Sequence, residues 1–477
     1  MRFTVILRYV GAVMLCLAAL MAASAGISFV SNDAGFYPLL LSSLLTLLLG
    51  FFPMIFVPKA ENITNKEGFM IVVGSWLLSC VVGMFPYLIW GGEFSIVNAW
   101  FESVSGFTTT GASILKDIEA LPQGLLFWRS ATHWMGGIGV VMFALVILPS
   151  IGKTKMTISS VEISNLAKDN YQYRSNVIMH ILLWVYVAMT LVCTVLLKIC
   201  GMNWFDAVNH AFSAVATGGF STKNLSVGAF NNGWAELVLA FFMLMSSIHY
   251  GVIFATITGK HNNLFRSEVV RYFLGSVAVC GLVCAISTRL GGLYDSFGQA
   301  LRAGLFQCAS LVTTTGFATT NVFGWGSIAM LALLFMSIQC GCAGSTSGGL
   351  KADRVVLAFK VFKMRIKQQQ HPNAVIRIKL NGQIQESGVV DYAMQFVVAY
   401  ALMIAVGAVV FAMCGFSFDG AVSASVASLG NVGMEVCDFG GFPEAPGFVR
   451  FFSPVLMLFG RLEIFGFIQL FLLSTWK

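Results

Sequence analysis

Four short segments of this sequence combine threonine or asparagine with glycine in a pattern suited to binding a dehydrated cation. They read FESVSGFTTTGAS, NHAFSAVATGGFS, FQCASLVTTTGFATTN and SASVASLGNVGME, and their glycines are separated by 108, 97 and 117 residues. Glycine tolerates positive φ, so neighbouring carbonyls can turn toward a common axis. Four such loops around one axis predict a ring of carbonyl oxygens that replaces the water around an ion.

The predicted ligands are the backbone carbonyls of three residues in each loop. They are Thr109, Thr110 and Gly111; Thr217, Gly218 and Gly219; Thr314, Thr315 and Gly316; and Asn431, Val432 and Gly433.

Each loop must enter the membrane and turn back, because an apolar run of about ten residues is too short to cross it. We expect each loop to begin with a short helix, as over Ala99 to Val104 and Ala207 to Val215. The partly negative C-terminal end of such a helix favours a cation. The alternative is that these are ordinary re-entrant packing elements.

The composition indicates a polytopic membrane protein, since 57% of the 477 residues are hydrophobic and only 10% are charged. Ten apolar spans are predicted, at roughly 5–28, 38–57, 69–90, 130–149, 178–200, 234–258, 270–290, 324–343, 389–414 and 451–475. The expected fold class is all-α, with two N-terminal helices followed by four parallel span, pore-loop, span repeats around one pseudo-four-fold pore.

The repeats divide the chain into five predicted parts. They are the N-terminal hairpin 1–68, repeat 1 with a partly amphipathic cytoplasmic segment 69–177, repeat 2 178–265, repeat 3 with a loop and a basic cytoplasmic segment 266–387, and repeat 4 388–477. The first span imitates a secretory signal, but we expect it to be retained because the apolar stretch continues into the second span.

The distribution of positive charge predicts the orientation. If the pore loops enter from outside, the cytoplasmic ends and connections hold 20 Lys and Arg and the outer connections seven, Arg129 among them. Both termini are then cytoplasmic, and the net charge of +7 reflects topology and gives little support to a nucleic-acid partner. The stretch from Lys351 to Lys379 holds eight Lys or Arg. This enrichment indicates either the general bias of positive charge toward the cytoplasmic side or docking of a cytosolic partner.

A run of small residues, GCAGSTSGG, interrupts the predicted span at 324–343 and is a candidate gate. Its candidate gating residues are Gly341, Gly344, Ser345, Thr346, Ser347, Gly348 and Gly349. Four glycines disfavour an intact helix and favour a mobile loop. The alternative is close helix packing through the GxxxG pair of Gly344 and Gly348. A phosphate-binding loop is excluded because Leu350 separates the glycines from Lys351.

Arg461 is a further gate candidate, because a charge within an apolar segment should face a watery path or a partner. The alternative is a structural ion pair with Glu435 or Glu463. The eleven cysteines include no CxxC motif and are interpreted as small apolar residues, with a metal or disulfide role at Cys280 and Cys284, or at Cys340 and Cys342, disfavoured.

The four loops, GCAGSTSGGLK and GRLEIF together resemble the Trk/Ktr/HKT superfamily of potassium transporters, and most closely its bacterial TrkH branch. The resemblance covers nearly the whole chain. It implies potassium as the transported ion, a location in the bacterial cytoplasmic membrane, a homodimer with one pore per chain, and a cytosolic ring of TrkA-like nucleotide-binding subunits as regulator. It also implies that Arg461 projects into the pathway below the filter. No cofactor is expected in this chain.

The resemblance also bears on selectivity. Relatives that pass sodium often carry serine at the first filter glycine, whereas all four positions are glycine here, which favours potassium. The TVGYG signature of dedicated potassium channels is absent, so we expect fewer ordered sites and weaker selectivity.

Three classes of function are open to such a chain: a potassium-translocating subunit, an alternating-access carrier and a membrane enzyme. The leading interpretation is a potassium-translocating subunit that is not an enzyme. A potassium/proton or potassium/sodium symporter is the alternative, since the sequence does not decide whether transport is coupled. An alternating-access carrier would show inverted repeats, and a membrane enzyme would need converging acid, base or metal ligands.

Overall fold

The computed structural model describes residues 2–58, 63–150, 175–259, 264–374, 376–462 and 464–469. Within them the regular secondary structure is almost entirely helical. The α-helices are α1 Phe3–Val30, α2 Phe36–Phe56, α3 Asn65–Val82, α4 Phe85–Trp90, α5 Ile96–Phe107, α6 Gln123–Ser150, α7 Ser175–Ile199, α8 Trp204–Val215, α9 Gly233–Ser246, α10 Tyr250–Ile257, α11 Glu268–Leu290, α12 Phe297–Val312, α13 Ser327–Ile338, α14 Ala352–Gln370, α15 Ser387–Met413, α16 Phe418–Leu429, α17 Gly447–Arg461 and α18 Ile464–Gln469.

Two smaller elements complete the described secondary structure. A 3₁₀ turn spans Ser226–Phe230, and strands β1 (Lys379–Leu380) and β2 (Gln383–Ile384) form an antiparallel hairpin with Lys379 opposite Ile384. The predicted cytoplasmic segment after α6 lies largely outside the described residues.

The outer helices place apolar side chains on the surface and polar ones inside. In α2, Leu48 and Phe52 are 68% and 65% exposed, whereas Ser42 and Thr46 are fully buried. The Thr46 hydroxyl donates to the Ser42 carbonyl at 2.7 Å, which satisfies it without water. Such a surface is stable only in an apolar solvent, so this is a multi-pass membrane protein.

Six of the described helical segments are long and apolar enough to cross a membrane as single spans, and a seventh is a bent pair. The six correspond to the predicted spans near 5–28, 38–57, 69–90, 178–200, 270–290 and 389–414. The expectation of ten long spans was therefore too simple for the described part of the chain. The span predicted at 324–343 contains α13, which is only 12 residues long. The described part of the span predicted at 451–475 consists of two helices, α17 and α18.

The span predicted at 234–258 is broken into α9 and α10, which meet at 105°. The break is stable because the backbone groups it releases find other partners. The Ser247 carbonyl accepts from Cys342 N at 2.8 Å and the Ser246 carbonyl from Thr346 N at 3.3 Å. His249 caps α10 by accepting from Gly251 N at 2.9 Å.

Four short helices, α5, α8, α12 and α16, precede the four glycine loops, as the sequence predicted. Each begins at a residue whose side chain accepts a backbone N–H of the first turn, and these caps are Ser95, Asn203, Ser296 and Ser417. Each ends four residues before the loop glycine. Helices α5, α8 and α16 have 12 residues and α12 has 16. All four helices therefore direct their C-terminal ends at the loops.

Candidate functional site

The four predicted filter loops share one backbone conformation. The residue two positions before the glycine has φ between 52° and 57°, and the glycine has φ between 70° and 86°. The first group is Thr109, Thr217, Thr314 and Asn431, and the second is Gly111, Gly219, Gly316 and Gly433. Alternation of left-handed and ordinary φ lets successive carbonyls face one side of a chain. Positive φ is uncommon for threonine, so its recurrence in three of the loops is informative.

The loops close into a ring. A Cβ built on each glycine would overlap a backbone carbonyl oxygen of another loop: Gly111 faces Gly218, Gly219 faces Thr315, Gly316 faces Val432, and Gly433 faces Thr110. This order of contacts returns to the first loop. All twelve predicted ligand residues thus lie together, in an arrangement consistent with four repeats. The glycines are partly exposed and the other eight residues are buried, so the glycines lie beside open space.

Each loop is held by a backbone bond to its own pore helix. The residue before the glycine donates to a carbonyl in the last turns of the helix at 2.8–3.0 Å. The pairs are Thr110 to Ser105, Gly218 to Ser213, Thr315 to Ser310, and Val432 to Ala427. These bonds fix the carbonyls that precede each glycine.

A polar side chain ties the segment that leaves each loop to the same pore helix. In the first three helices it lies nine residues before the glycine, at Glu102, His210 and Gln307. Glu102 accepts from Ile114 N at 3.1 Å, His210 Nε2 lies 2.9 Å from Ser221 Oγ, and Gln307 Nε2 donates to the Thr320 carbonyl at 3.1 Å. In the fourth helix the Ser423 hydroxyl accepts from Val436 N at 2.9 Å.

Arg129 on α6 joins the first and second loops. Its Nε donates to Glu102 at 2.8 Å, and its other nitrogens donate to Ser113 Oγ at 3.2 Å and to the Ser221 carbonyl at 3.3 Å. The guanidinium also lies 4.0 Å from the centre of the Phe220 ring. Arg129 and Glu102 are both buried, with exposures of 1% and 0%. An ion pair this buried is stable only when its remaining donors and acceptors are satisfied, as they are here.

The prediction that Arg129 belongs to an outer connection was wrong. Helix α6 begins at Gln123, so Arg129 lies within it. The contacts of Arg129 with both loops were missed because one charged residue near the edge of an apolar span resembles a topology signal. The available clue was a carboxylate, Glu102, inside the pore helix nine residues before a filter glycine.

The gate candidate from Gly341 to Gly349 is not helical, so the alternative of helix packing through a GxxxG pair is wrong for this segment. Every residue in it except Gly344 is buried. It contacts the residues at the end of the filter nearest the pore-helix termini. Gly348 N donates to Thr314 Oγ1 at 3.0 Å, and the hydroxyls of Thr346 and Thr217 are 3.3 Å apart. A Cβ on Gly348 would meet the Asn431 side chain.

Arg461, at the end of α17, reaches the same loop. It is 7% exposed and donates to the Thr346 carbonyl at 2.5 Å and to the Gly136 carbonyl at 3.2 Å. Among the described residues it pairs with no carboxylate, Glu435 included. The other predicted alternative partner, Glu463, lies outside the described residues. Thr346 therefore connects Arg461 to Thr217 of the second filter loop.

The described cysteines are all free thiols. Cys284 lies 3.9 Å, sulfur to sulfur, from Cys308. Among the described residues no group of three or more His, Cys, Asp or Glu side chains could hold a metal ion.

Comparisons with known proteins identify one family that the chain resembles over most of its length. A family model for TrkH, described as a cation transport protein, matches residues 50–285 and 294–474. The protein named Trk system potassium uptake protein TrkH from Salmonella typhimurium is 34% identical over 421 residues, covering 87% of each chain. The protein of that name from Vibrio parahaemolyticus is 33% identical over 489 residues, and the match covers 100% of each chain. The crystal structure of the potassium transporter TrkH from Vibrio parahaemolyticus superimposes with a TM-score of 0.90 at 31% identity over the whole of both chains.

Proposed function

Because this chain belongs to the TrkH family of cation transport proteins, we propose that it carries potassium ions across the bacterial cytoplasmic membrane through the ring of four glycine loops. As a member of this family it is a transporter and not an enzyme. The observation that carries the proposal is the closed contact between each filter glycine and a carbonyl of the next loop.

The carbonyls of the twelve loop residues are the proposed ligands of potassium. Ring closure brings carbonyls from four sides to one axis, so that they replace the hydration shell of the ion. The C-terminal ends of α5, α8, α12 and α16 add a partial negative charge at the same place. A cation on the axis is stabilised by both effects.

The segment Gly341–Gly349 is the proposed gate. It contacts Thr217, Thr314 and the side chain of Asn431, one in each of three filter loops. Its backbone is bound to the break between α9 and α10, so the two interruptions stabilise each other. An ion leaving the filter at this end must displace the loop.

Arg461 is proposed to oppose ion passage by charge and to hold the gate shut by its bond to Thr346. A unit charge about 6 Å from a potassium ion, at an effective dielectric near 20, repels it by roughly 3 kcal/mol. In the closed arrangement the guanidinium binds two backbone carbonyls. Movement of the loop would release one of these bonds and redirect the charge.

The transporter is proposed to act as a homodimer that a TrkA-like nucleotide-binding ring regulates from the cytosol. The names of its relatives support a multi-component system, since each is called part of a Trk system.

The membrane potential is the proposed driving force for uptake. A potential of 100 mV supplies roughly 2.3 kcal/mol per potassium ion, which sustains an inside-to-outside concentration ratio of about fifty.

Flux through the purified chain in liposomes tests the proposal. With an inside-negative potential, we expect faster uptake of rubidium, as a potassium substitute, than of sodium. Equal uptake of both ions, or no uptake above that of empty liposomes, would contradict it. Reversal potentials measured with and without a pH or sodium gradient separate uncoupled passage from symport, because only a symporter's reversal potential follows the second gradient.

A further inference from the structure

A basic cavity of about 420 Å³ lies beside helix α14, in the segment predicted to be cytoplasmic, and the hairpin β1–β2. Its described lining contains five Lys or Arg and no Asp or Glu, and the basic residues are Lys360, Lys363, Lys367, Arg377 and Lys379. Lys360 fixes the cavity by donating to Glu268 and to the Lys379 carbonyl, both at 2.6 Å. Since this ion pair neutralises only one of the five charges, the cavity is suited to an anion.

An apolar cleft of about 450 Å³ lies on the neighbouring face of α14. It is lined by residues of α13, α14 and α15 and is almost wholly apolar, and the α14 residues are Val355, Ala358, Phe359 and Phe362. Phe359 and Phe362 are 51% and 65% exposed. Ile366, one turn after Phe362, lines the basic cavity, so the two spaces lie side by side on one helix.

We propose that the basic cavity and the apolar cleft together bind an anionic phospholipid, with its phosphate headgroup among the basic residues and an acyl chain in the cleft. Charge complementarity selects the headgroup, because Lys and Arg at a membrane surface attract anionic lipids. The cleft explains why a lipid fits better than an acidic protein segment. Its walls include α13 and α15, which are apolar helices of the membrane domain. Lipid binding at this site does not depend on which ion the four loops carry.

Binding of phosphatidylglycerol to the purified chain in detergent, followed by native mass spectrometry and by thermal stability, tests the site. We expect phosphatidylglycerol to remain bound and to raise the Tm, whereas phosphatidylcholine does neither. The variant K363Q/K367Q/R377Q should bind phosphatidylglycerol about a hundredfold more weakly, since each charge contributes roughly fivefold at a membrane surface. Phe362→Ser should weaken binding of the lipid without changing that of glycerophosphoglycerol, which has no acyl chains.

Arg365→Gln is the matched control, because Arg365 lies on the same helix but does not line the cavity. It should bind phosphatidylglycerol like the parent chain. If the triple variant fails to fold, a salt series on the parent decides instead, since screening must weaken binding to a charged cavity.

The proposal is overturned if phosphatidylcholine binds as well as phosphatidylglycerol, or if the triple variant binds like the parent. It is also overturned if inorganic phosphate stabilises the chain as strongly as the lipid, which would indicate a free-phosphate site. Displacement of the lipid by polyglutamate at equal charge concentration would likewise contradict it and indicate an acidic protein partner.

Discussion

At the scale of single residues, the glycines of the proposed filter are constrained twice, by positive φ and by contact with another loop. Gly316 has φ of 77°, and a Cβ there would overlap the Val432 carbonyl oxygen. We expect Gly316→Ser to push this carbonyl from the axis and to lower the potassium-to-sodium permeability ratio several-fold. Reversal potentials in mixed potassium and sodium solutions measure that ratio.

Gly324→Ser is the control for this substitution. Gly324 has no heavy atom within 4 Å of a built Cβ, so a side chain meets open space there. Its permeability ratio should match that of the parent chain. A folded Gly316→Ser variant with the parent ratio would show that these loops do not form the filter.

Arg461 allows a second prediction, because its charge and its hydrogen bonds can be separated. Arg461→Ala should raise maximal rubidium flux several-fold and leave the preference over sodium nearly unchanged. Arg461→Lys keeps the charge but cannot span the carbonyls of Thr346 and Gly136 as a guanidinium does. If repulsion dominates, the lysine variant stays slow, and if the tether to Thr346 dominates, it is as fast as alanine. Uptake per folded protein is the measurement, and reduced flux with poor folding of Arg461→Ala would rule out both roles.

The ion pair of Glu102 and Arg129 supports a third prediction. Glu102→Gln leaves the Arg129 charge buried without a counter-charge, which costs about 3–5 kcal/mol. We expect a lower Tm and a lower potassium-to-sodium permeability ratio, because Arg129 contacts the segments that leave the first and second loops.

The exposed pair of Lys116 and Glu444 supplies the comparison. Lys116 Nζ lies 3.1 Å from Glu444 Oε1, and the two side chains are 63% and 68% exposed. Glu444→Gln should change stability by less than about 1 kcal/mol. Equal effects of the two substitutions on Tm and on permeability would show that Arg129 does not position the filter.

At the scale of elements, the gate loop should open more easily when its backbone is strained. Gly344 has φ of 73°, and a Cβ there would also overlap the His249 ring, which must then shift. An L-residue in this conformation costs about 1–2 kcal/mol. We expect Gly344→Ala to raise the open fraction roughly tenfold with unchanged selectivity, as measured by single-channel recording or by flux without a regulator.

Gly292→Ala is the control for Gly344→Ala. Gly292 has φ of 72°, close to that of Gly344, but a Cβ built on it meets open space. It carries similar backbone strain outside the gate and should leave the open fraction unchanged. Gly348→Ala should alter gating and selectivity together, because Gly348 contacts Asn431. A change of selectivity alone in Gly344→Ala would contradict the assignment of the loop as a gate.

The elements differ in how far the sequence determines them. The pore helices were predictable because the caps and the loop glycines are local signals. The break between α9 and α10 was not, since Ser246 and Ser247 continue an apolar helix pattern. Their carbonyls accept hydrogen bonds from a loop about 100 residues away, and no local pattern reports such a partner. The conformation of the gate loop depends on the same contacts.

At the scale of the whole molecule, regulation by nucleotide should require a second protein. The chain has no phosphate-binding loop motif. We expect ATP and ADP to leave rubidium flux through the purified chain unchanged, and to alter it once the proposed TrkA-like ring is added. Flux in liposomes with and without the ring measures this. A nucleotide response of the isolated transporter would contradict the prediction.

The closed ring of glycine loops has a consequence for how this protein evolves. All four quarters of the filter are encoded in one gene, so a single codon change alters one quarter and leaves three intact. One loop can therefore differ from the other three, and the loops do differ here. The fourth has Asn431 and Val432 where the first has Thr109 and Thr110, and the second has Gly218 at the position of Thr110. The side-chain amide of Asn431 donates to Thr110 Oγ1 of the first loop at 3.0 Å, a bond that a threonine could not make in the same way. A pore assembled from four identical chains would have to accept each such change four times at once.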